Sequence, residues 1–130
     1  MSHHRETVTA VGAPAAVGPY SHAVKSNGLL FCSGQVALDP DSGELVGNSA
    51  GEQARQCMEN LSAVCAAAGA SLSDAVRCTI YLTEMGDFVE VGDVYQDYFS
   101  GEPPARVTVG VAALPKGARV EVDAIVAMPD

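Results

Sequence analysis

Along this chain, apolar positions switch between a helical and a strand period, and the switching predicts its elements. Ala54, Cys57, Met58, Leu61, Val64, Cys65 and Ala68 recur at spacings of three and four. With Ser49 and Glu52 spaced as a capping box and Gly69 suited to the C′ position, they predict a helix over 50–68. Phe88, Val91, Tyr95, Tyr98 and Phe99 predict a second helix over 88–99, with Asp87 and Glu90 as its N-terminal signal. Gly92 inside it costs about 1 kcal/mol relative to alanine.

Strand periods surround these helices. Asn27-Gly28 between the apolar runs 23–25 and 29–33 predicts a hairpin, and Asp39-Pro40-Asp41-Ser42-Gly43 reads as a turn. Val76, Cys78, Ile80 and Leu82, then Val107, Val109 and Val111, then Val120, Val122, Ala124 and Val126 alternate with other residues. Each set predicts a strand with one apolar face, and a weaker signal lies at 7–11. The order β-β-β-α-β-α-β-β predicts an α+β fold, two helices packed on one face of a mixed sheet. The other face would carry Thr79, Tyr81, Arg106, Thr108, Glu121 and Ile125, too apolar for plain solvent surface and too polar for a core. Another copy of the chain is the simplest cover, so a symmetric homo-oligomer with polar chemistry between its subunits is expected.

Composition narrows the classes. At 130 residues and 13.3 kDa, with 48% hydrophobic and 18% charged residues, 1–130 reads as a single folded domain with 1–6 as a flexible tail. Seven basic against sixteen acidic residues give a net charge of −9, which repels phosphate backbones and anionic membranes; no nucleic-acid or membrane partner is expected. With no apolar span or signal segment, the chain is expected in the cytoplasm. Cys32, Cys57, Cys65 and Cys78 form no Cys-x-x-Cys pair, sit at apolar positions and read as reduced thiols. His3 and His4 read as a solvated pair, and neither metal nor cofactor is expected. No P-loop, dinucleotide-binding glycine pattern, Gly-x-Ser-x-Gly elbow or His-Glu-x-x-His is present.

Several residues have the chemistry for a small-anion site. Arg106, behind Pro103-Pro104-Ala105, suits a bidentate grip on a carboxylate, or else a structural ion pair. Glu121 can deprotonate a water, or pair with Arg119 or Arg77. Thr108, two residues from Arg106, offers a hydroxyl to a ligand or simply fills a strand. Tyr20 can close a lid or pack, and Ser33-Gly34-Gln35 either admits a ligand to the backbone or makes a bulge.

From Ala13 onward the chain resembles the Rid family, the YjgF-type reactive-intermediate deaminases. The resemblance rests on Gly18-Pro19-Tyr20-Ser21, Phe31-Cys32-Ser33-Gly34-Gln35, Leu38-Asp39-Pro40, Pro104-Ala105-Arg106, Leu114-Pro115-Lys116-Gly117-Ala118 and Val120-Glu121. It implies a chorismate-mutase-like fold assembled as a homotrimer with sites between subunits. It also implies hydrolysis of 2-aminoacrylate-type enamines and 2-imino acids to 2-keto acids and ammonia, a form of metabolite damage control. By position Arg106 matches the family's carboxylate-binding Arg and Glu121 its water-activating Glu, while Tyr20 and Ser33 match pocket residues. Thr108 stands where deaminating members often carry Cys and keeps a hydrogen-bonding group, whereas Gly92 stands where many carry Asn, so that one such group is lost and a larger pocket is expected. His22 stands where Gln is common. A non-catalytic binder of small carboxylates is the alternative; ribonuclease activity, described for some relatives, conflicts with the net charge. If the last two strands form a hairpin around 114–118, Arg106 falls near Val126, roughly 16 Å along the sheet from Glu121 at about 3.3 Å per residue. The two are therefore expected to meet only across a subunit boundary.

Overall fold

The structure, a computed structural model, describes residues 4–130. Six strands and two helices follow in chain order: β1 Arg5–Val8, β2 Ala23–Ser26, β3 Leu29–Val36, α1 Ala50–Ala67, β4 Ala75–Leu82, α2 Phe88–Gln96, β5 Ala105–Gly110 and β6 Val120–Ala127. Asn27 and Gly28 both take positive φ, 53° and 78°, the type I′ geometry that matches the twist of a two-residue hairpin, and Ser26 pairs with Leu29 across it. β1 begins and ends earlier than its apolar signal. Arg5 and Glu6, expected in a tail, pair with Ser26 and Lys25, and Glu6 sits 3.7 Å from the Lys25 ammonium. His3 lies outside the described residues.

α1 closes at both ends as its sequence predicts. Ser49 Oγ accepts the Glu52 N–H and Glu52 Oε1 accepts the Ser49 N–H, while Ala70 N–H reaches the Cys65 carbonyl and Gly69 N–H that of Ala66, with Gly69 at φ 79°. α2 is shorter than expected: beyond Gln96 the chain tightens into i→i−3 bonds from Tyr98 to Tyr95 and Phe99 to Gln96. Its two acidic cap candidates are spent elsewhere. Asp87 is the last residue of a 3₁₀ turn and lacks the extended backbone a capping side chain needs; its carboxylate instead takes Arg119 at 3.0 Å through both oxygens. Glu90 crosses to α1 and accepts the Gly51 N–H at 2.7 Å, one of the donors that a helix N-terminus leaves open.

The sheet order is β1-β2-β3-β6-β4-β5, antiparallel except for β4 and β5. The hairpin expected between the last two strands does not form, because β4 lies between them and β6 returns to the centre of the sheet. Arg106 is level with Cys78, which is level with Ala124, so the register differs from the hairpin estimate. β5 is also turned over relative to the expectation. Arg106 and Thr108 lie beside buried Cys78 and Ile80 on the helix-covered side, while Val107 and Val109 lie beside Thr79 and Tyr81 on the open side. Alternation separates two sets of side chains but does not say which set meets the helices. The open face thus carries Phe31, Thr79, Tyr81, Val107, Val109, Glu121, Asp123 and Ile125.

Between sheet and helices, Leu30, Ile80, Leu82, Val120, Val122 and Val126 pack against Cys57, Met58, Leu61 and Val64 of α1, all essentially buried. All four cysteines are free and buried, and burial pushes the Cys78 thiol up to about 11. Among the described residues no helix is long and apolar enough to cross a membrane, and no group of three His, Cys, Asp or Glu side chains is placed to hold a metal.

The one fully buried amide in this layer does specific work. Asn60 Nδ2 donates to the carbonyls of Val36 and Leu38 at 3.2 and 3.0 Å, where β3 leaves the sheet, and its Oδ1 accepts from Gln56. Asn60→Ala should therefore lower stability by about 1–3 kcal/mol by leaving a buried carbonyl unpaired. A urea midpoint within error of the parent would remove this bracing role.

Candidate active site

Two clefts collect the polar residues singled out in the sequence, and they lie on different sides of the sheet. The first, about 500 Å³, opens between α2 and the start of β5 and is lined by Phe88, Gly92, Tyr95, Phe99, Pro103 and Arg106 among others. Prolines 103 and 104 stiffen the entry to β5. The Arg106 guanidinium lies 5.2 Å from the Phe88 ring centroid and 5.9 Å from that of Tyr95. Stacking restrains its plane through cation–π contact and leaves the N–H edge to meet an anion. Among the described residues Arg106 makes no ion pair, so the structural-pair alternative is not realised within the chain. Thr108, two residues on and on the same side, buries its Oγ1 without a hydrogen-bond partner. A ligand atom or a neighbouring chain would relieve that cost.

The second cleft, about 340 Å³, is lined by Val17, Tyr20, Ser33, Gly34, Lys116 and Glu121 among others. Its geometry comes from a β-bulge. Cys32 pairs with Ala124 and Gln35 with Val122, so Ser33 and Gly34 together face Asp123 alone. The bulge lets the Glu121 carboxylate fold over Gly34, where a Cβ would lie 2.9 Å from Glu121 Cδ and closer still to Oε2. Only glycine leaves that space. Ser33 is not a free handle: its Oγ donates to the Ser21 carbonyl at 2.6 Å and its N–H to that of His22. Those bonds tie down the segment bearing Tyr20, which stays about half exposed over the cleft.

Two residues entered the site without a role read from the sequence. His22 is buried, its Nδ1 accepting the Ala10 N–H at 2.8 Å, so Nε2 carries the hydrogen donated to the Pro14 carbonyl at 2.7 Å. The imidazole thus clamps both ends of the loop ahead of Tyr20. Lys116 holds the unusual φ of 62° for a non-glycine residue and stands at the rim of the Glu121 cleft. Its signal was the adjacent Pro115 and Gly117, which favour a tight turn but do not reveal what the turn faces.

Glu121 has no ion pair among the described residues; Arg119, one of its two possible partners, is taken by Asp87. Desolvation first, and then the neighbouring Asp123 charge, raise its carboxyl above the ordinary range. Arg106 and Gly92 are therefore brought together in one cleft, with Thr108 on the same face of β5 but outside its lining, and Tyr20, Ser33, Gly34 and Glu121 in another. One holds the cation fork with only the exposed Asp93 carboxylate at its rim, the other the half-buried Glu121 carboxylate without the fork.

The raised carboxyl has a measurable consequence. Folded Glu121 holds its proton to higher pH than the unfolded chain does, so the native state binds more protons across that window and stability falls as pH rises through it. Its favourable contribution is complete below the ordinary carboxylate range and lost above the raised value. Glu121→Gln should thus gain in melting temperature relative to the parent as pH rises from the ordinary carboxylate range, about 4.3, through the raised value. A pH-independent difference would contradict the desolvated carboxyl.

Comparison with known proteins agrees with this architecture. A family model described as Endoribonuclease L-PSP matches residues 11–128. The chain is 51% identical over 123 residues to Protein DfrA of Myxococcus xanthus, covering 93% of this chain and 94% of that one. It is 46% identical over 121 residues to the 2-iminobutanoate/2-iminopropanoate deaminase of Mus musculus, covering 93% and 90%. The solved structure of YyfA from Yersinia pestis, a protein of the conserved Rid family, superposes with a TM-score of 0.92 at 43% identity, covering 95% of this chain and 99% of that one. With the family model running through both clefts and strands β2 to β6, the chain belongs to the YjgF/Rid family.

Proposed function

We propose that this protein is a hydrolytic deaminase of 2-imino acids and their enamine tautomers, acting at sites shared between neighbouring subunits of a homotrimer. The observation that carries the reading is the complementary incompleteness of the two clefts. A threefold arrangement can set the Arg106 cleft of one chain against the Glu121 cleft of the next, while the open face with Val107, Val109, Phe31 and Ile125 turns toward the other copies. The name of the mouse relative, 46% identical, supports the same chemistry.

In that composite site Arg106 binds the substrate carboxylate through its fork and Thr108 Oγ1 offers a hydrogen bond to the imine end. The ionised Glu121 takes a proton from a water whose oxygen attacks C2 of the C=N bond. Glu121 hands that proton to the nitrogen as the carbinolamine forms and then relays the hydroxyl proton to the same nitrogen as the C–N bond breaks, so that ammonia leaves and the 2-keto acid remains. A carboxyl raised by burial is matched to both halves of this proton traffic. Tyr20 covers the cleft, and exclusion of water strengthens the charge interactions.

Three measurements test the reading. The loss of freshly generated 2-aminoacrylate should be accelerated by the protein; no acceleration by an assembly of three chains would leave only a carboxylate binder. Arg106→Lys keeps the charge and loses the fork, so kcat/KM should fall by about 1–3 kcal/mol equivalent, whereas Glu121→Gln should cut kcat about 10²–10⁴-fold and bind pyruvate almost normally. Refolding Arg106→Ala and Glu121→Gln chains together should regenerate active sites at some interfaces. Mixed trimers without recovered activity would place both residues in one chain's site.

A further inference from the structure

Gly92 has no local reason to be glycine. It lies within α2, its φ is not positive, and a Cβ built on it would meet nothing within 4 Å. Alanine would suit the helix better, so what glycine provides there is space. Phe88 precedes it by four residues and Tyr95 follows it by three, so both stand on the same helix face one turn to either side. Their rings are the two on which the Arg106 guanidinium rests, at 5.2 and 5.9 Å. In the cleft that holds the cation, the helix surface therefore carries a notch at Gly92, with Phe88, Tyr95, Phe99 and Pro103 in the same lining.

We infer that this notch sets the substrate class: Gly92 admits 2-imino acids with a large apolar side chain, aromatic or branched, over the methyl-bearing three-carbon compound. The inference rests on the reading of Arg106 as the carboxylate grip. With the carboxylate on the guanidinium, the substituent at C2 projects along the cation–ring stack, and a flat ring lies against bare helix backbone between Phe88 and Tyr95. Asp93, at the rim of the same cleft, opposes an acidic side chain. Hydrolysis is unchanged: water supplies the keto oxygen, nitrogen leaves as ammonia, and no oxidant enters.

Binding and turnover test it separately. Calorimetric titration of the assembled protein with phenylpyruvate and with pyruvate should show the former binding about tenfold or more tightly. Gly92→Leu, which fills the notch, should shrink that ratio about tenfold, and Gly92→Ala should shrink it partially while raising the melting temperature. Imines generated from phenylalanine and from alanine by an amino-acid oxidase should follow the same order in kcat/KM. Pyruvate binding as tightly as phenylpyruvate overturns the inference and leaves the deaminase reading intact. So does a Gly92→Leu variant, or Gly92→Ala if the first does not fold, that weakens both ligands equally. Selective binding without hydrolysis of either imine overturns the deaminase reading and keeps the notch.

Discussion

Everything in this protein depends on the last strand returning to the middle of the sheet. β6 is hydrogen-bonded on both edges, to β3 and β4, and its alternate residues Val120, Val122, Ala124 and Val126 form the floor on which α1 lies. A strand so held has no freedom of register, because a slip of one residue would exchange the apolar floor for Glu121, Asp123 and Ile125. The carboxylate proposed for catalysis is therefore positioned by the same alternation that fills the core. Cost and use coincide: burial against a central strand first, and the Asp123 charge two residues on second, raise the Glu121 carboxyl.

Around that strand, the polar side chains that are not in a cleft join elements to one another. Arg119 ties Asp87 at the head of α2 to the entrance of β6, and its own N–H donates to Gln53 on α1. Glu90 ties α2 back to the first turn of α1. These bonds fix α2 at the margin of the sheet rather than over its middle, which leaves β5 partly uncovered and Arg106 standing between a helix and solvent. A pocket with a free cation fork is the result of that incomplete coverage.

The bulge at Ser33-Gly34 does the corresponding work on the other side. It removes a Cβ where the Glu121 carboxylate must lie and redirects β3 so that the loop braced by His22 brings Tyr20 over the cleft. Each cleft is thus built by a local departure from regular layering, one at a sheet edge and one at a bulge. The hydrolysis proposed above draws on groups from both clefts.

Much of the fold was legible in the sequence because its signals are local. The capping box at Ser49 and Glu52, the left-handed Gly69, the Asn27-Gly28 turn and the apolar stripe of α1 each act within a few residues, so spacing alone determines them. The Arg and Glu were legible as chemistry, and the resemblance of their surroundings named the family. What the sequence could not determine was long-range. Alternation in β5 separated Arg106 and Thr108 from Val107 and Val109, but only the parallel pairing with β4 decided which pair meets the helices. Asp87 and Glu90 carried a valid cap signal that Arg119 and Gly51, distant in the chain, outcompeted. The purposes of Gly34 and His22 depend on what the fold brings against them, a carboxylate from β6 and the two ends of a loop. Spacing along a chain sets what neighbours can do, and only the closing of the sheet decides who the neighbours are.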